Sequence, residues 1–328
     1  MQHITALSLL LTAAMGIGSN AEADETWRLS LATAEKLRDS RQFENAERAF
    51  QLALKLAIRQ PDAAAAATVY HNMAGLHADM GRCDLAVSEF QRSLHLWKTS
   101  GTDNTRYWMR TANHLTSLYL ECGDLTSAER LQRRIAIPER LRPEDKDDAD
   151  LAQALCNLGS IHYSRRRYSA ALVAYEEALT IWERNAGSPS VDQAVAAHNL
   201  AFSLVRVGRT DAGLESYRQA MGILATVVGK DHPLTISGVA NGASLYCLAR
   251  RCDEGEPLLT EALASAETLY GERHQLTAAI LIRYAAFLKA RRRKHAAVAM
   301  EHRAREIVSA LGLRTPRTVD VGELSPMK

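Results

Sequence analysis

The chain has 328 residues, with 40 Lys and Arg against 38 Asp and Glu and a formal net charge of +2. So even a balance excludes a globally basic or acidic binder. Hydrophobic residues make up 47% but aromatic residues only 6%, which calls for a core of Ala and Leu between closely packed helices.

The N-terminus comes first. Ile4 to Met15 is almost wholly apolar, and Gly16 and Gly18 follow it. Ser19-x-Ala21 and Ala21-x-Ala23 then offer small residues at the spacing a signal peptidase needs, so residues 1–23 read as a cleavable export leader. Met1-Gln2-His3 supplies no Lys or Arg, which leaves an uncleaved anchor or an unstructured N-terminus as alternatives. Beyond this segment no apolar run is long enough to span a bilayer, so no transmembrane segment is expected in the mature chain.

From residue 25 a pattern recurs. Turn residues Arg41, Gly81, Gly123, Arg166, Gly208, Arg250 and Arg292 fall at intervals of about 42 residues. Five positions after each turn stands Ala46, Ala86, Ala128, Ala171, Gly213, Gly255 or Ala297. A column that stays this small predicts a place where two backbones come close. The fixed period predicts stacked units rather than one globular core. The expected fold is all-α: a right-handed superhelical α-solenoid of about seven helix-turn-helix repeats, near 27–60, 67–100, 109–142, 152–185, 194–227, 236–269 and 278–311.

Each copy reads as two amphipathic helices. In the fourth, Leu155, Leu158, Gly159 and His162 share one helical face, and Ala171, Leu172, Tyr175, Ala178 and Leu179 share another. Glycine at the turn supplies the left-handed backbone that ends a helix, and Asp124 is placed to cap the next one. Pro61-Asp62, Ser188-Pro189 and Asp231-His232-Pro233 mark the starts of later first helices, where proline suits the first turn.

The third copy is irregular. Gln132 replaces the aromatic residue found at Phe50, Phe90, Tyr175 and Tyr217, Pro138 interrupts the helix end, and a charged loop from Glu139 to Asp150 is expected to kink or lack order. Glu301 in the same column suits a polar terminal cap, and residues 312–328 read as a flexible tail. Of the five cysteines, Cys83 with Cys122 and Cys247 with Cys252 lie near turns. Either pair could bridge in an oxidising compartment. The blander and preferred reading is small buried hydrophobes. No Cys or His cluster has zinc spacing, and no metal or cofactor site is read.

The columns resemble the tetratricopeptide repeat. Asn157-Leu158-Gly159, Arg166, Ala171, Tyr175 and Ala178 follow that pattern, as do Asn199-Leu200-Ala201, Gly208, Gly213, Tyr217 and Ala220. The period is longer than the standard unit and is similar to that of kinesin light chains, and Gly229-Lys230-Asp231-His232-Pro233 resembles the linker of that variety. The resemblance covers residues 25–311. It is specific for fold and weak for function.

The resemblance implies a concave groove lined by the first helix of each pair. Asn72, His114, Asn157, Asn199 and Asn241 form one column there, beside a column of mostly small residues that Phe202 interrupts. An Asn can donate and accept at once, so a ladder of them could bracket the backbone of an extended peptide. Inter-helix hydrogen bonding accounts for the same residues equally well. His71, Asn113, Tyr163, His198 and Arg206 complete the candidate groove, with Arg110 and Gln153 beside them.

Arg165, Arg166, Arg167, Arg250, Arg251, Arg291, Arg292 and Arg293 crowd the turns and predict a basic edge. Arginine at helix C-termini also serves the terminal carbonyls, and that is the preferred account. No nucleophile elbow, phosphate loop or zinc-protease motif occurs, and the eleven His follow no partner pattern, so an enzyme is not expected. The expected role is non-catalytic binding of a protein or peptide by an exported chain (periplasmic or secreted), with nucleic acid disfavoured. The alternatives are a scaffold that self-associates or docks on a membrane complex through the Arg edge, and a cytoplasmic adaptor should the leader be false.

Overall fold

All seven residues of the turn column adopt the left-handed backbone. Gly81, Gly123 and Gly208 have φ of 69°, 78° and 87°, and Arg41, Arg166, Arg250 and Arg292 reach 56°, 59°, 62° and 59°. At six of these turns the same two hydrogen bonds close the preceding helix. In the fourth pair Arg166 N–H donates to Tyr163 O at 2.8 Å and Arg167 N–H to His162 O at 2.8 Å, the Schellman arrangement. The carbonyl of Arg167 then accepts from Ala171 N–H at 3.0 Å, so the next helix begins at once.

The computed structural model describes residues 20–100, 105–140, 149–185 and 189–311. They contain fourteen helices and no strand. Residues up to Cys122 form one unit and those from Gly123 a second. The first holds α1 (Asn20–Asp39), α2 (Phe43–Ala57), α3 (Ala63–Asp79), α4 (Cys83–Thr99) and α5 (Thr105–Glu121). The second holds α6 (Leu125–Arg140), α7 (Ala149–Ser164), α8 (Tyr168–Asn185), α9 (Val191–Arg206), α10 (Thr210–Val227), α11 (Pro233–Leu248), α12 (Cys252–Tyr270), α13 (Gln275–Ala290) and α14 (Lys294–Ala310). The fold class is the expected α-solenoid of helix-turn-helix repeats. In the second unit α7, α9, α11 and α13 lie side by side, as first helices of successive repeats should.

The small column is the crossing point within each pair. Ala46, Ala86, Ala128, Ala171 and Ala297 have no exposed surface. At Gly213 even a methyl group would meet Ala201 O at 2.8 Å, and at Gly255 it would meet Ala243 O at 2.8 Å. The obstacle is backbone, which cannot swing aside. Around these crossings the core is Ala with a few large anchors, among them Phe50 in the first unit and Tyr175 and Phe287 in the second.

Helix starts follow the expected signals with one adjustment. Asp124 Oδ1 accepts from Ser127 N–H at 3.0 Å, and that bond holds its carboxyl below the usual range. Pro233 opens α11, where His232 Nδ1 accepts from Leu234 N–H, and His274 caps α13 in the same way. Pro61 and Pro189, by contrast, precede the caps Asp62 and Ser190 rather than entering the helix.

In the third repeat α6 continues through Pro138 to Arg140, while residues 141–148, most of the charged loop, lie outside the described set. Gln132 is fully buried, and its Nε2 donates to Ala154 O at 2.8 Å. Residues 1–19 and 312–328 are likewise outside the described residues, so the leader and tail expectations fall there; residues 20–23 already belong to α1.

Both cysteine pairs are joined, Cys83 to Cys122 and Cys247 to Cys252, which reverses the preferred reading of them as simple hydrophobes. Cys83–Cys122 joins the turn edges of successive repeats, which the period brings together, and Cys247–Cys252 spans a single turn. Cys156 alone is free, and burial pushes its thiol up to about 12.

Two substitutions test this geometry. Ala171→Leu overfills a closed crossing and is expected to cost about 1–3 kcal/mol, read as a drop in the urea midpoint. Arg166→Gly relieves a left-handed side chain and is expected to stabilise by about 0.5–1 kcal/mol after the entropy of glycine is counted. An unchanged midpoint in the first or a loss in the second would contradict the assignment.

Candidate functional site

The turn edge is less basic than its sequence. In the first unit Arg82 Nη1 lies 3.4 Å from Glu47. In the second, Arg165 and Arg167 share Glu129 at 3.4 and 3.6 Å, Arg251 pairs with Glu254, Arg291 with Asp253 and Arg293 with Glu256. Most partners sit one repeat earlier, because the period that aligns the turns also aligns acids beneath them. Arg166, Arg250 and Arg292, the left-handed residues, have no carboxylate partner among the described residues. Exposed pairs of this kind contribute about 0–1 kcal/mol each.

In the first unit the candidate groove residues form a polar cluster. His71 on α3 places Nδ1 2.9 Å from Thr111 Oγ1, and its Nε2 lies 3.1 Å from His114 Nδ1 on α5. Burial, reinforced by His114, Arg110 and Arg38, lowers the His71 pKa to about 3. His71 is therefore neutral at any ordinary pH. Asn72 donates to Thr68 O of its own helix at 3.1 Å. Asn113 faces the core, only 1% exposed, not the groove.

Six residues further along α3, the buried His77 lies between two carboxylates: its Nδ1 is 2.6 Å from Glu89 Oε2 and its Nε2 is 3.6 Å from Glu47. The Glu89 hydrogen bond raises its pKa against the opposing effect of burial. Sequence reading missed this pair, although a His and a Glu facing one another across a helix pair is the available signal.

In the second unit the first-helix face encloses a cavity of about 330 Å³. Ser160, Tyr163 and Ser164 enter from α7, and Tyr175 closes it from α8. His198, Asn199 and Phe202 come from α9, Asn241 and Ser244 from α11, and Arg283 from α13. The predicted Asn199, Asn241, His198, Tyr163 and Phe202 thus converge. Asn157 does not join them: it is 4% exposed, and its Oδ1 accepts from Gln153 Nε2 at 3.2 Å. Arg206 leans over the Tyr168 ring and reaches Tyr163 OH at 3.5 Å, at the margin.

Within the cavity His198 Nδ1 donates to Asn199 Oδ1 at 3.4 Å, while its Nε2 is closed off from water with no protein partner. Burial lowers the His198 pKa, which keeps the ring neutral. A larger cavity of about 580 Å³ lies between the second helices α8 and α10. Two of its three carboxylates, Glu176 and Glu215, are paired with Arg209 and Arg218. Among the described residues no three His, Cys, Asp or Glu side chains gather as metal ligands would, and no helix is long and apolar enough to cross a membrane.

The model of the tetratricopeptide repeat family matches residues 151–192 and 193–234, the two repeats that supply α7 to α10. Kinesin light chain-related protein 3 of Arabidopsis thaliana is 21% identical over 282 residues, 84% of this chain and 42% of the relative. A clustered mitochondria protein homolog of Neosartorya fischeri is 26% identical over 136 residues, 42% of this chain. The chain spans 10% of that relative's length, so only a module is shared. The structure of the Rap conjugation gene regulator of plasmid pLS20, in complex with the Phr* peptide, superposes with a TM-score of 0.62. It covers 92% of this chain and 80% of its own at 15% identity, a likeness of fold alone.

The electrostatics of the first unit carry a pH prediction. His71 has a folded pKa near 3 against an unfolded value of 6.5, so its contribution is complete above pH 6.5 and is lost as pH falls. At pH 5 that loss is roughly 2 kcal/mol. His77 acts with the opposite sign, favouring the folded state at low pH and losing that contribution as pH rises through its raised pKa. His71→Gln is expected to flatten the acid limb of a stability–pH profile; an unchanged limb would show that His71 is not the group responsible.

Proposed function

We propose, from the premise that the chain is a tetratricopeptide-repeat protein of the long-period kind, that it is a non-catalytic binder of an extended peptide or protein segment. The ligand lies on the first-helix face of the second unit. One observation carries this reading: in the cavity there the side chains of Asn241 and Ser244 have no partner among the described residues, and Asn199, whose oxygen accepts from His198, keeps its amide N–H groups open. Groups set out in this way along adjacent helices suit an extended backbone, whose N–H and C=O alternate. The peptide held by the Rap regulator of similar fold supports the reading without identifying this chain's ligand.

Export remains part of the proposal. The apolar segment from Ile4 to Met15 and two disulfides fit an oxidising compartment together. The scaffold alternative is weakened by the ion pairs along the turn edge, which leave Arg166, Arg250 and Arg292 as its main free charge.

Panning a random-peptide display library on the full chain is the direct experiment. Selected peptides are expected to bind the Asn199→Ala/Asn241→Ala double variant at least about tenfold more weakly, with its melting midpoint retained. Selection of no peptide, or equal binding to the variant, would sink the reading. For export, mass mapping of the chain from a secreting host is expected to find both disulfides and no residues before the leader's end; an intact Met1 with reduced thiols would refute it.

A further inference from the structure

The two disulfides differ in where their sulfurs sit. Cys247 is 1% exposed and belongs to a hydrophobic cluster of the second unit, with Cys252 packed against it. Cys83 and Cys122 are both half-buried, and Gly81, Arg82, Asp84 and Leu85 around the first of them are exposed. Exchange requires a thiolate to reach a sulfur, so the pair in the first unit is the one open to attack.

What each bond holds differs too. Cys247 and Cys252 lie five residues apart, on either side of a turn that two hydrogen bonds already close: Arg250 N–H to Cys247 O at 3.0 Å and Arg251 N–H to Tyr246 O at 2.8 Å. Once cleaved, those sulfurs stay side by side and rejoin at high effective concentration. Cys83 and Cys122 are 39 residues apart, one at the start of α4 and the other just after α5. No single turn keeps them together, so cleavage there persists more readily.

The bond in the first unit also joins two unequal sulfurs. Cys83 is the first residue of α4, where the amide groups of the helix start favour negative charge. Arg82 before it and Asp84 after it offset one another, which leaves the helix end to decide. Cys122 stands between Glu121 and Asp124, which oppose a negative sulfur. Cys156, the one free cysteine, is buried in the second unit with its thiol pushed up to about 12, so the attacking thiolate must come from outside.

We propose that Cys83–Cys122 is a thiol-exchange site, which an external dithiol opens while Cys247–Cys252 stays closed, and that opening frees the end of α5 from the start of α4. A thiolate of the dithiol bonds to Cys122 Sγ, and the electron pair of the broken S–S bond leaves with Cys83 Sγ. The second thiol of the dithiol loses its proton, attacks the dithiol's own sulfur in the mixed disulfide and displaces Cys122. The protein gains two electrons and two protons, and the dithiol ends as a disulfide. Because α5 carries His114, which meets His71 of α3 across the first-helix face, releasing its end makes that face of the first unit responsive to redox conditions.

Dithiothreitol is the probe for this step. The full chain is held in native buffer with rising amounts of it, trapped with N-ethylmaleimide and mapped by mass spectrometry, while circular dichroism follows helix content. Cys83 and Cys122 are expected to be labelled at least about tenfold faster than Cys247 and Cys252, with helix content retained. Hydrogen exchange of the opened protein should then quicken over the last turns of α5 but not in α11 or α12. The Cys83→Ser/Cys122→Ser double variant should match it without reductant. Among single variants, the Cys83 thiol left by Cys122→Ser should be alkylated faster at neutral pH than the Cys122 thiol left by Cys83→Ser.

Equal labelling of the two pairs, or labelling of Cys247 and Cys252 first, would overturn the exchange site. Opening only where helix content collapses would overturn it as well. Unchanged exchange in α5 after selective opening would remove the release. Faster alkylation of Cys122 than of Cys83 would overturn the assignment of the leaving sulfur. Should the double variant fail to fold, the selectively reduced wild-type chain still decides the matter.

Discussion

The structure depends on two backbones coming close enough that nothing larger than a methyl group fits between them. Ala171 and its equivalents mark the spot in each pair, and at Gly213 and Gly255 a neighbouring carbonyl occupies the space a β-carbon would need. That closeness sets the angle at which the second helix leaves the turn. The angle in turn decides where the next first helix can pack. Ordering of α7, α9, α11 and α13 on one face follows from it, and so does the convergence of side chains up to three repeats apart in sequence. In a stack of this kind each repeat gains its core from its neighbours, so a local geometric rule propagates without long-range contacts.

The turns add a second layer of control. A left-handed residue ends each first helix within one position, and the carbonyl after it starts the next helix. Four of these residues are arginine, which bears a steric cost that glycine does not. The arginines on either side of Arg166 and Arg292 pair with acids from the preceding repeat, so the edge reads as strongly basic in sequence and as largely neutralised in space.

Periodicity made the fold legible. Seven small residues at one spacing named the crossings, and the turn column named the helix ends. What escaped sequence reading was anything decided by rotation of a helix about its own axis. Asn113 lies next to the column of His114, and a step of about 100° carries it into the core. Asn157 keeps the expected column but is covered by its neighbours, whereas Asn199 and Asn241 stay open to the cavity. Nothing in the linear spacing marks Arg283, a largely buried cation with no carboxylate partner among the described residues. The cysteine pairs were at the right separations, but a separation in sequence does not show whether two sulfurs face each other across an edge.

The link between Cys83 and Cys122 has a mechanical side. A solenoid pulled by its ends yields one hairpin after another, each releasing its slack. The cross-link bridges a separation of 39 residues, so roughly 130 Å of contour stays withheld from extension while it is intact. Oxidation therefore sets how far the first unit can be drawn out under load, and a chain kept in an oxidising milieu is shorter at full stretch than the same polypeptide with its thiols free.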